Sequence, residues 1–144
     1  QVVTNSLPIA SLLMNQAGIE LISVGGVIYP KTGVALGDQA VAMLKNWNCA
    51  QLVMSAGGVT QDGLFNSNAL LVETERQMIQ SSQRVTLVAD STKFGQRALA
   101  QLCPLSSVHQ VVTDDGISEE WQHRLQDLGI DLQVVSASPA VAGS

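Results

Sequence analysis

Short runs of β-branched and aliphatic residues alternate along the chain with stretches of helical period, the pattern of βαβ units on a mainly parallel sheet. Val2-Val3-Thr4 predicts a first strand. Ser6 predicts a helix N-cap with Pro8 in the first turn, where its missing N–H costs nothing. Ile9, Leu12 and Leu13 then give that helix one apolar face. Gly18 ends the helical pattern, residues 19–24 predict a second strand closing at Gly25-Gly26, and a loop runs on through Pro30 and Gly33. Asp38 to Trp47 predicts a helix with Ala40, Leu44 and Trp47 on one face, followed by a short strand at Leu52-Val53-Met54 and the glycine-rich stretch 56–63. Asn68 caps a predicted helix over 69–82 that buries Leu71, Thr74 and Met78. The continuous apolar run 85–89 predicts a strand covered on both faces. A short extra strand is predicted at 98–102 and another at 111–113. Ser118, backed by Glu119 and Glu120, starts a helix carrying Trp121, Leu125 and Leu128. Gly129 stops it before a last strand at 132–135. No internal repeat or linker divides the chain, so residues 1–136 read as one domain and 137–144 as a small-residue tail.

Composition narrows the class. At 144 residues the chain holds one α/β domain, and 46% hydrophobic against 13% charged residues excludes a disordered chain. Aromatics are 3%, so aliphatic residues and methionine must build the core. Seven Lys+Arg against 12 Asp+Glu leave a net charge of -5, which lacks the positive stripe that gripping a nucleic-acid backbone requires. No apolar run approaches the roughly 20 residues needed to span a bilayer, and no basic-then-apolar segment opens the chain. Cys49 and Cys103 have neither CxxC nor metal spacing, which predicts a reduced, cytoplasmic protein. Gln1 is not an initiator and a strand is already under way at Val2, so the sequence reads as part of a longer protein.

In an open parallel sheet, ligands bind beyond the carboxyl ends of the strands. Four stretches put small polar residues there: Asn5-Ser6, Gly25-Gly26, Gly57-Gly58 with Asp62-Gly63, and Asp90-Ser91-Thr92-Lys93. Each by itself is a cap or a turn. Their repetition, with one cation among them, suits a small phosphorylated ligand better than a hydrophobic one. GxSxG, GxxxxGK[ST] and GxGxxG are all missing, which removes the main support for a serine hydrolase, a P-loop NTPase and a standard dinucleotide fold. His109 and His123 lie apart from any cysteine or carboxylate at ligand spacing, so no metal or other cofactor is expected. Both thiols sit in apolar surroundings typical of buried cysteines. Glu73, Glu75 and Arg76 read as i,i+3 pairing on a solvated helix face, and Trp47 and Trp121 as core.

Five stretches together carry a resemblance. They are Val2-Val3-Thr4-Asn5-Ser6, Val24-Gly25-Gly26-Val27 with Lys31 and residues 33–37, Gly58-Val59-Thr60 through Gly63-Leu64, residues 88–98 around Asp90-Ser91-Thr92-Lys93-Phe94-Gly95, and residues 111–117. In this order they cover about nine-tenths of the chain, which resembles the C-terminal effector-sensing domain of DeoR-type bacterial transcriptional regulators. The resemblance implies a Rossmann-like, mainly parallel sheet flanked by helices, similar to ribose-5-phosphate isomerase and glucosamine-6-phosphate deaminase. It implies a sugar-phosphate effector that modulates operator binding by a winged helix-turn-helix at the N-terminus, a module this sequence does not include. Carried over by position, Asn5, Ser6, Gly25, Gly26, Gly58, Gly63, Asp90, Ser91 and Lys93 would line the effector site. Backbone amides and Lys93 would take the phosphate, and Asn5 and Asp90 the sugar hydroxyls.

The sequence departs from the family pattern at Ser55, Gly57, Phe65 and Asn66, and it lacks the strand and Gly-Ser/Thr-Thr loop that normally precede the position of Gln1. The resulting expectation is a non-enzymatic sensor domain that forms homo-oligomers. The alternatives are a sugar-phosphate isomerase or deaminase, for which Asp62 and Asp90 are the only carboxylates at the right edge, and an oligomerisation module with a vestigial pocket.

Overall fold

The computed structural model describes residues 1–136. The predicted tail at 137–144 lies outside the described residues. Strand β1 (Val2–Thr4) leads through the N-cap Ser6 into α1 (Leu7–Leu13), and β2 (Leu21–Ser23) returns parallel to β1. A hairpin of β3 (Val27–Tyr29) and β4 (Val34–Leu36) occupies the stretch expected to be a loop. Turning at Thr32-Gly33, it lets the Val34-Ala35-Leu36 run pair with Val27-Ile28-Tyr29. Next come α2 (Asp38–Leu44), β5 (Cys49–Met54), β6 (Gly58–Thr60), β7 (Gly63–Asn66) and α3 (Ala69–Gln80). The chain closes with β8 (Ser82–Val88), β9 (Ala100–Cys103), β10 (Gln110–Asp114), α4 (Glu119–Asp127) and β11 (Asp131–Val135).

The mainly parallel α/β architecture expected from the alternating pattern is present. Four strands form a parallel sheet in the order β11-β10-β8-β5, and β1-β2 is a separate parallel pair. The glycine-rich stretch is itself structured: β6, β7 and β9 make an antiparallel sheet of their own. On the main sheet, Leu52, Met54, Val85, Leu87 and Val111 face Val72 of α3, Leu125 of α4 and Phe94, all buried in one core.

The opposite face of β8 is not the apolar surface that its sequence suggests. There Gln51 donates to the Thr86 hydroxyl, Thr86 to Gln110, and Gln110 to Asp131, a chain of side-chain hydrogen bonds running across all four strands. Val53 and Val88 on this side are exposed. Of the Val85–Ala89 run only Val88 is exposed, and Thr86 is buried within the hydrogen-bonded chain rather than beneath an apolar layer.

A second, smaller core ties the β1-β2 pair to the rest. Val24, Ala40 and Leu44 are buried together, with Val3 and Met78 against them. The seam between α2 and α3 is pinned by polar contacts: the Ser81 hydroxyl donates to the Leu44 carbonyl at 2.9 Å, and the Gly37 N–H donates to the Thr74 hydroxyl at 3.3 Å.

Between β1 and β5 lies an open slot of about 680 Å³. Consecutive residues of both strands line it, Val2 to Asn5 on one side and Cys49 to Val53 on the other. Since side chains alternate across a strand, consecutive lining residues mean the slot lies edge-on to both strands rather than on a face. The Cys49 N–H bonds to Ser81 next to β8, and the Val2 N–H bonds to Glu20 next to β2. By the same alternation, the backbone groups of Leu52 and Val3 point into the slot. Chain order runs outward from it on both sides, β1 then β2, and β5, β8, β10, β11. The slot is therefore the topological switch point of the fold.

Two helix faces differ from expectation. No residue of α1 is buried, and Ile9 and Leu12 are exposed, because the helix packs mainly on the narrow two-stranded β1-β2 pair. Helix α2 ends at Leu44, which leaves Trp47 beyond the helical face, exposed on the rim of the slot. Trp121 does pack inward, edge-on to Phe94 with ring centroids 5.4 Å apart. These contrasts predict that Leu125→Ala, at a fully buried site, lowers stability by about 3 kcal/mol. Leu12→Ala on the open helix should cost less than about 0.5 kcal/mol. Urea unfolding of the two variants measures both.

Candidate functional site

At the carboxyl end of the slot, β1 and β5 release the chain into loops, and a cleft of about 550 Å³ opens there. That volume is within the range of small-molecule sites, roughly 300–1,000 Å³. Asn5 after β1 and Ser55, Ala56 and Gly57 after β5 form its floor, and Tyr29, Lys31 and Thr32 of the first hairpin form one wall. Asn66 and Ser67 after β7, Leu71, Glu75 and Met78 of α3, and Lys93 complete the lining.

The positions of these groups follow from local chemistry. The Asn5 side-chain amide donates to the Ala35 carbonyl at 3.0 Å, tying the end of β1 to the hairpin that carries Lys31. Lys31 sits at the hairpin tip, where the Gly33 N–H closes onto the Tyr29 carbonyl at 2.8 Å. Lys93 is presented by a single 3₁₀ turn over Ser91–Lys93, capped by Asp90, which accepts from the Thr92 N–H at 3.0 Å and from its hydroxyl. Asp114 braces the same turn from the end of β10, accepting from the Ser91 N–H at 2.7 Å and the Gly116 N–H at 2.9 Å. The Thr92 hydroxyl holds the Asp90 carboxyl below its ordinary range, and Ser91 does the same for Asp114. Both therefore stay ionised at neutral pH.

Of the residues expected from the sequence, Asn5 and Lys93 line this cleft and the others do not. Ser6 caps α1, accepting from the Ile9 N–H, and lines the slot instead. Gly25 and Gly26 lead from the buried Val24 into β3. Gly58 and Gly63 are buried in the β6-β7 hairpin, where backbone approaches from behind. A Cβ at Gly58 would lie 2.2 Å from the Gln96 carbonyl oxygen, and one at Gly63 would lie 2.0 Å from that of Cys103. Close packing accounts for glycine at both. Asp90 and Ser91 spend their polar groups on the turn itself. Asp62 pairs with Arg97 away from the cleft.

The residues that sequence reasoning missed are Lys31, Asn66 and Glu75. Lys31 carries a signal of its own, a cation between Pro30 and Gly33 in a turn. Glu75 was misplaced by the pairing rule. Arg76, one position on, points away and donates to the carbonyls of Gln101 and Leu102 on β9. Glu75 instead shares a helical stripe with Leu71 and Met78, at i−4 and i+3, and that stripe faces the cleft. The Asn66 side-chain amide donates to both of its oxygens, 3.1 Å each, and among the described residues no cation pairs with it. Burial pushes the Glu75 carboxyl up to about 7. On α3 the buried positions are Val72 and Thr74, while Leu71 and Met78 are half-buried because they border the cleft.

Among the described residues no group of three or more His, Cys, Asp and Glu is gathered as a metal site demands, and no helix is long and apolar enough to cross a membrane. Cys103 is buried on β9, where desolvation pushes its thiol up to about 11, and Cys49 is half-buried.

Comparison with known proteins places this geometry. The family described as the DeoR C-terminal sensor domain matches residues 1–115. An uncharacterised HTH-type transcriptional regulator of Escherichia coli, YgbI, is 32% identical over 90% of this chain and 51% of its own length. The Bacillus subtilis HTH-type transcriptional regulator IolR is 33% identical over 83% of the chain and 48% of its own. The Escherichia coli glycerol-3-phosphate regulon repressor is 30% identical over 79% and 46%. The chain thus spans about half the length of the curated relatives it matches. With the parallel sheet, the strand-end cleft and a match across most of the sequence, the chain belongs to the DeoR C-terminal sensor-domain family.

Proposed function

We propose that this domain senses a phosphorylated sugar or polyol in the cleft at the ends of β1 and β5, and that the bound effector changes how the full-length protein holds operator DNA. The observation that carries the reading is the pair of lysines. In a chain of net charge -5, Lys31 and Lys93 reach one cleft from distant parts of the sequence, and neither forms an ion pair among the described residues. Two ammonium groups there attract a dianion, and the nearby amides and hydroxyls suit a polyol. Asn5 keeps its side-chain oxygen and one amide hydrogen for a ligand hydroxyl, while its main-chain carbonyl accepts from the Ala35 N–H. Asp90 and Ser91 act by holding the turn that presents Lys93, while Gly25 and Gly26 lead into the hairpin that presents Lys31. Gly58 and Gly63 shape the hairpin behind Gly57, and Ser6 sets the direction of α1. A relative named for the glycerol-3-phosphate regulon supports the ligand class.

The acidic domain does not itself grip DNA. Operator binding belongs to the other half of the full-length protein, a cytoplasmic homo-oligomer whose subunits meet through exposed apolar positions such as Leu7, Leu12 and Val27. The effector shifts DNA affinity only by its differential affinity for two arrangements of that oligomer, typically about 1–3 kcal/mol. The slot is filled by a strand from the segment preceding Gln1, pairing with both β1 and β5. Two facing rows of unpaired backbone groups support this, since such groups are costly to leave unmatched. A second reading, a sugar-phosphate isomerase, rests on Glu75, a carboxyl in the cleft that titrates near 7 as a general base should.

Thermal unfolding against glycerol 3-phosphate and a panel of hexose phosphates, each beside its unphosphorylated parent, tests the sensor reading. One phosphate should raise the midpoint where its parent does not, with about 2.7 kcal/mol of stabilisation at one hundred times its dissociation constant. Lys93→Ala should weaken that ligand about tenfold or more, and unchanged affinity would remove Lys93 from the site. In a longer chain that includes the preceding segment, the amides of Val3 and Leu52 should exchange at least a hundredfold more slowly than in residues 1–144. Equal exchange would leave the slot open and sink the strand assignment. Aldose–ketose interconversion assayed on the same panel should show no turnover above buffer. Turnover abolished by Glu75→Gln would establish the isomerase reading instead.

A further inference from the structure

Glu75 is an anomaly in a cleft built for an anion. Its carboxyl is half-buried, its one partner among the described residues is the Asn66 amide, and Lys31 and Lys93 line the same cleft without pairing with it. A carboxylate oxygen accepts more than one hydrogen bond, so a single amide leaves most of its acceptor capacity unused. Removing such a group from water without matching its acceptors is costly, and the cost falls when a donor arrives. A phosphate cannot be that donor: as a dianion it is repelled by Glu75 and belongs with the lysines. The remainder of a polyol phosphate can, because each hydroxyl brings a hydrogen.

We infer that Glu75 is the specificity-determining residue of this cleft, accepting hydrogen bonds from effector hydroxyls while the phosphate is held at Lys31 and Lys93. This rests on the sugar-phosphate reading and deepens it. Asn66 is a positioning residue: its amide bonds to both carboxyl oxygens and its own oxygen accepts from the Ser67 N–H at 2.8 Å, which fixes the direction of Glu75 from the end of β7.

The arrangement also sets a pH dependence. The charged and titratable groups around Glu75 are Arg76 on its own helix, committed to β9 carbonyls, and Cys103 on β9, protonated at neutral pH. Lys31, Lys93 and Tyr29 line the cleft with it. Burial pushes Glu75 up to about 7, so near neutrality it changes between a neutral acid and an ionised acceptor. Ligand hydroxyls favour the ionised form. Affinity for a hydroxyl-bearing phosphate therefore rises as pH passes upward through about 7, in addition to the rise from ionisation of the phosphate itself.

Calorimetric titration of the full-length protein and its Glu75→Gln variant with glycerol 3-phosphate, fructose 6-phosphate, galactosamine 6-phosphate and inorganic phosphate, at pH 5.5 and pH 8, tests the assignment. At pH 8 the variant should lose about tenfold in affinity for the tightest sugar or polyol phosphate and less than twofold for inorganic phosphate. At pH 5.5 the two proteins should converge, which a purely structural role for Glu75 would not produce. Urea unfolding serves as the fold control, and the amide should leave the variant at least as stable as the parent at pH 8. A variant that binds every probe as the parent does, at both pH values, overturns the role of Glu75 while leaving the sensor reading intact. A parent protein that binds none of the four probes overturns the sugar-phosphate reading and this inference with it. A loss of equal size for inorganic phosphate would mean that the substitution disturbs the cleft as a whole, since removing a negative charge cannot by itself weaken an anion, and would overturn hydroxyl recognition.

Discussion

Everything in this domain depends on the seam between α2 and α3, because the parallel strands come in two groups that share no backbone ladder. The β1-β2 pair and the sheet that begins at β5 are held in line by side chains, with Val3 and Val24 against Ala40, Leu44 and Met78. The Ser81 hydroxyl on the Leu44 carbonyl and the Thr74 hydroxyl on the Gly37 amide prevent those helices from sliding. Without that seam there is no shared direction for β1 and β5, and their carboxyl ends do not meet. The slot and the cleft above it are two views of one feature, the point where the order of the strands reverses.

The cleft assembles opposing charges without pairing them. Lys31 comes from a hairpin tip closed by backbone hydrogen bonds and Lys93 from a 3₁₀ turn held by carboxylates, so the ammonium groups are supplied by hydrogen-bonded turns. Asp90 and Asp114 hold the turn that carries Lys93. Their oxygens are occupied by the N–H groups of Thr92, Ser91 and Gly116, which keeps two carboxylates close to an anion site while their acceptor capacity is used elsewhere. Glu75 is different, since among the described residues its partner is the Asn66 amide alone, and its remaining acceptor capacity faces the cleft.

Membership of a sensor-domain family, with the effector cleft proposed above, gives this half of the protein a receiver's role. The structural consequences of ligand binding have a clear place to start. A ligand that bridges Lys31, Lys93 and Glu75 links the first hairpin, the turn after β8 and helix α3, three elements otherwise joined through packing. Their relative positions also set the exposed surfaces of α1 and the hairpin, where apolar side chains stand open.

Much of the fold was legible from local pattern. The caps at Ser6, Asn68 and Ser118, the stop at Gly129 and the aliphatic runs at β1, β5, β8, β10 and β11 are decisions made within a few residues, by propensity and by who can bond to a nearby amide. Those local rules also brought Asn5 and Lys93 to the strand-end edge, where the cleft is. They failed wherever the partner is distant in sequence. The hairpin at 27–36 exists because two short runs find each other, and Gly58 and Gly63 are glycines because the Gln96 and Cys103 carbonyls press from behind. Glu75 and Arg76 are neighbours that diverge, one to the cleft and one to β9. The sequence by itself determined the class of fold and the sheet edge where the cleft opens, since periodicity and capping are short-range. Which side chains share the cleft, and which stay unpaired in it, was decided by tertiary structure alone, because a charge's environment is made by elements that meet only when the chain is folded.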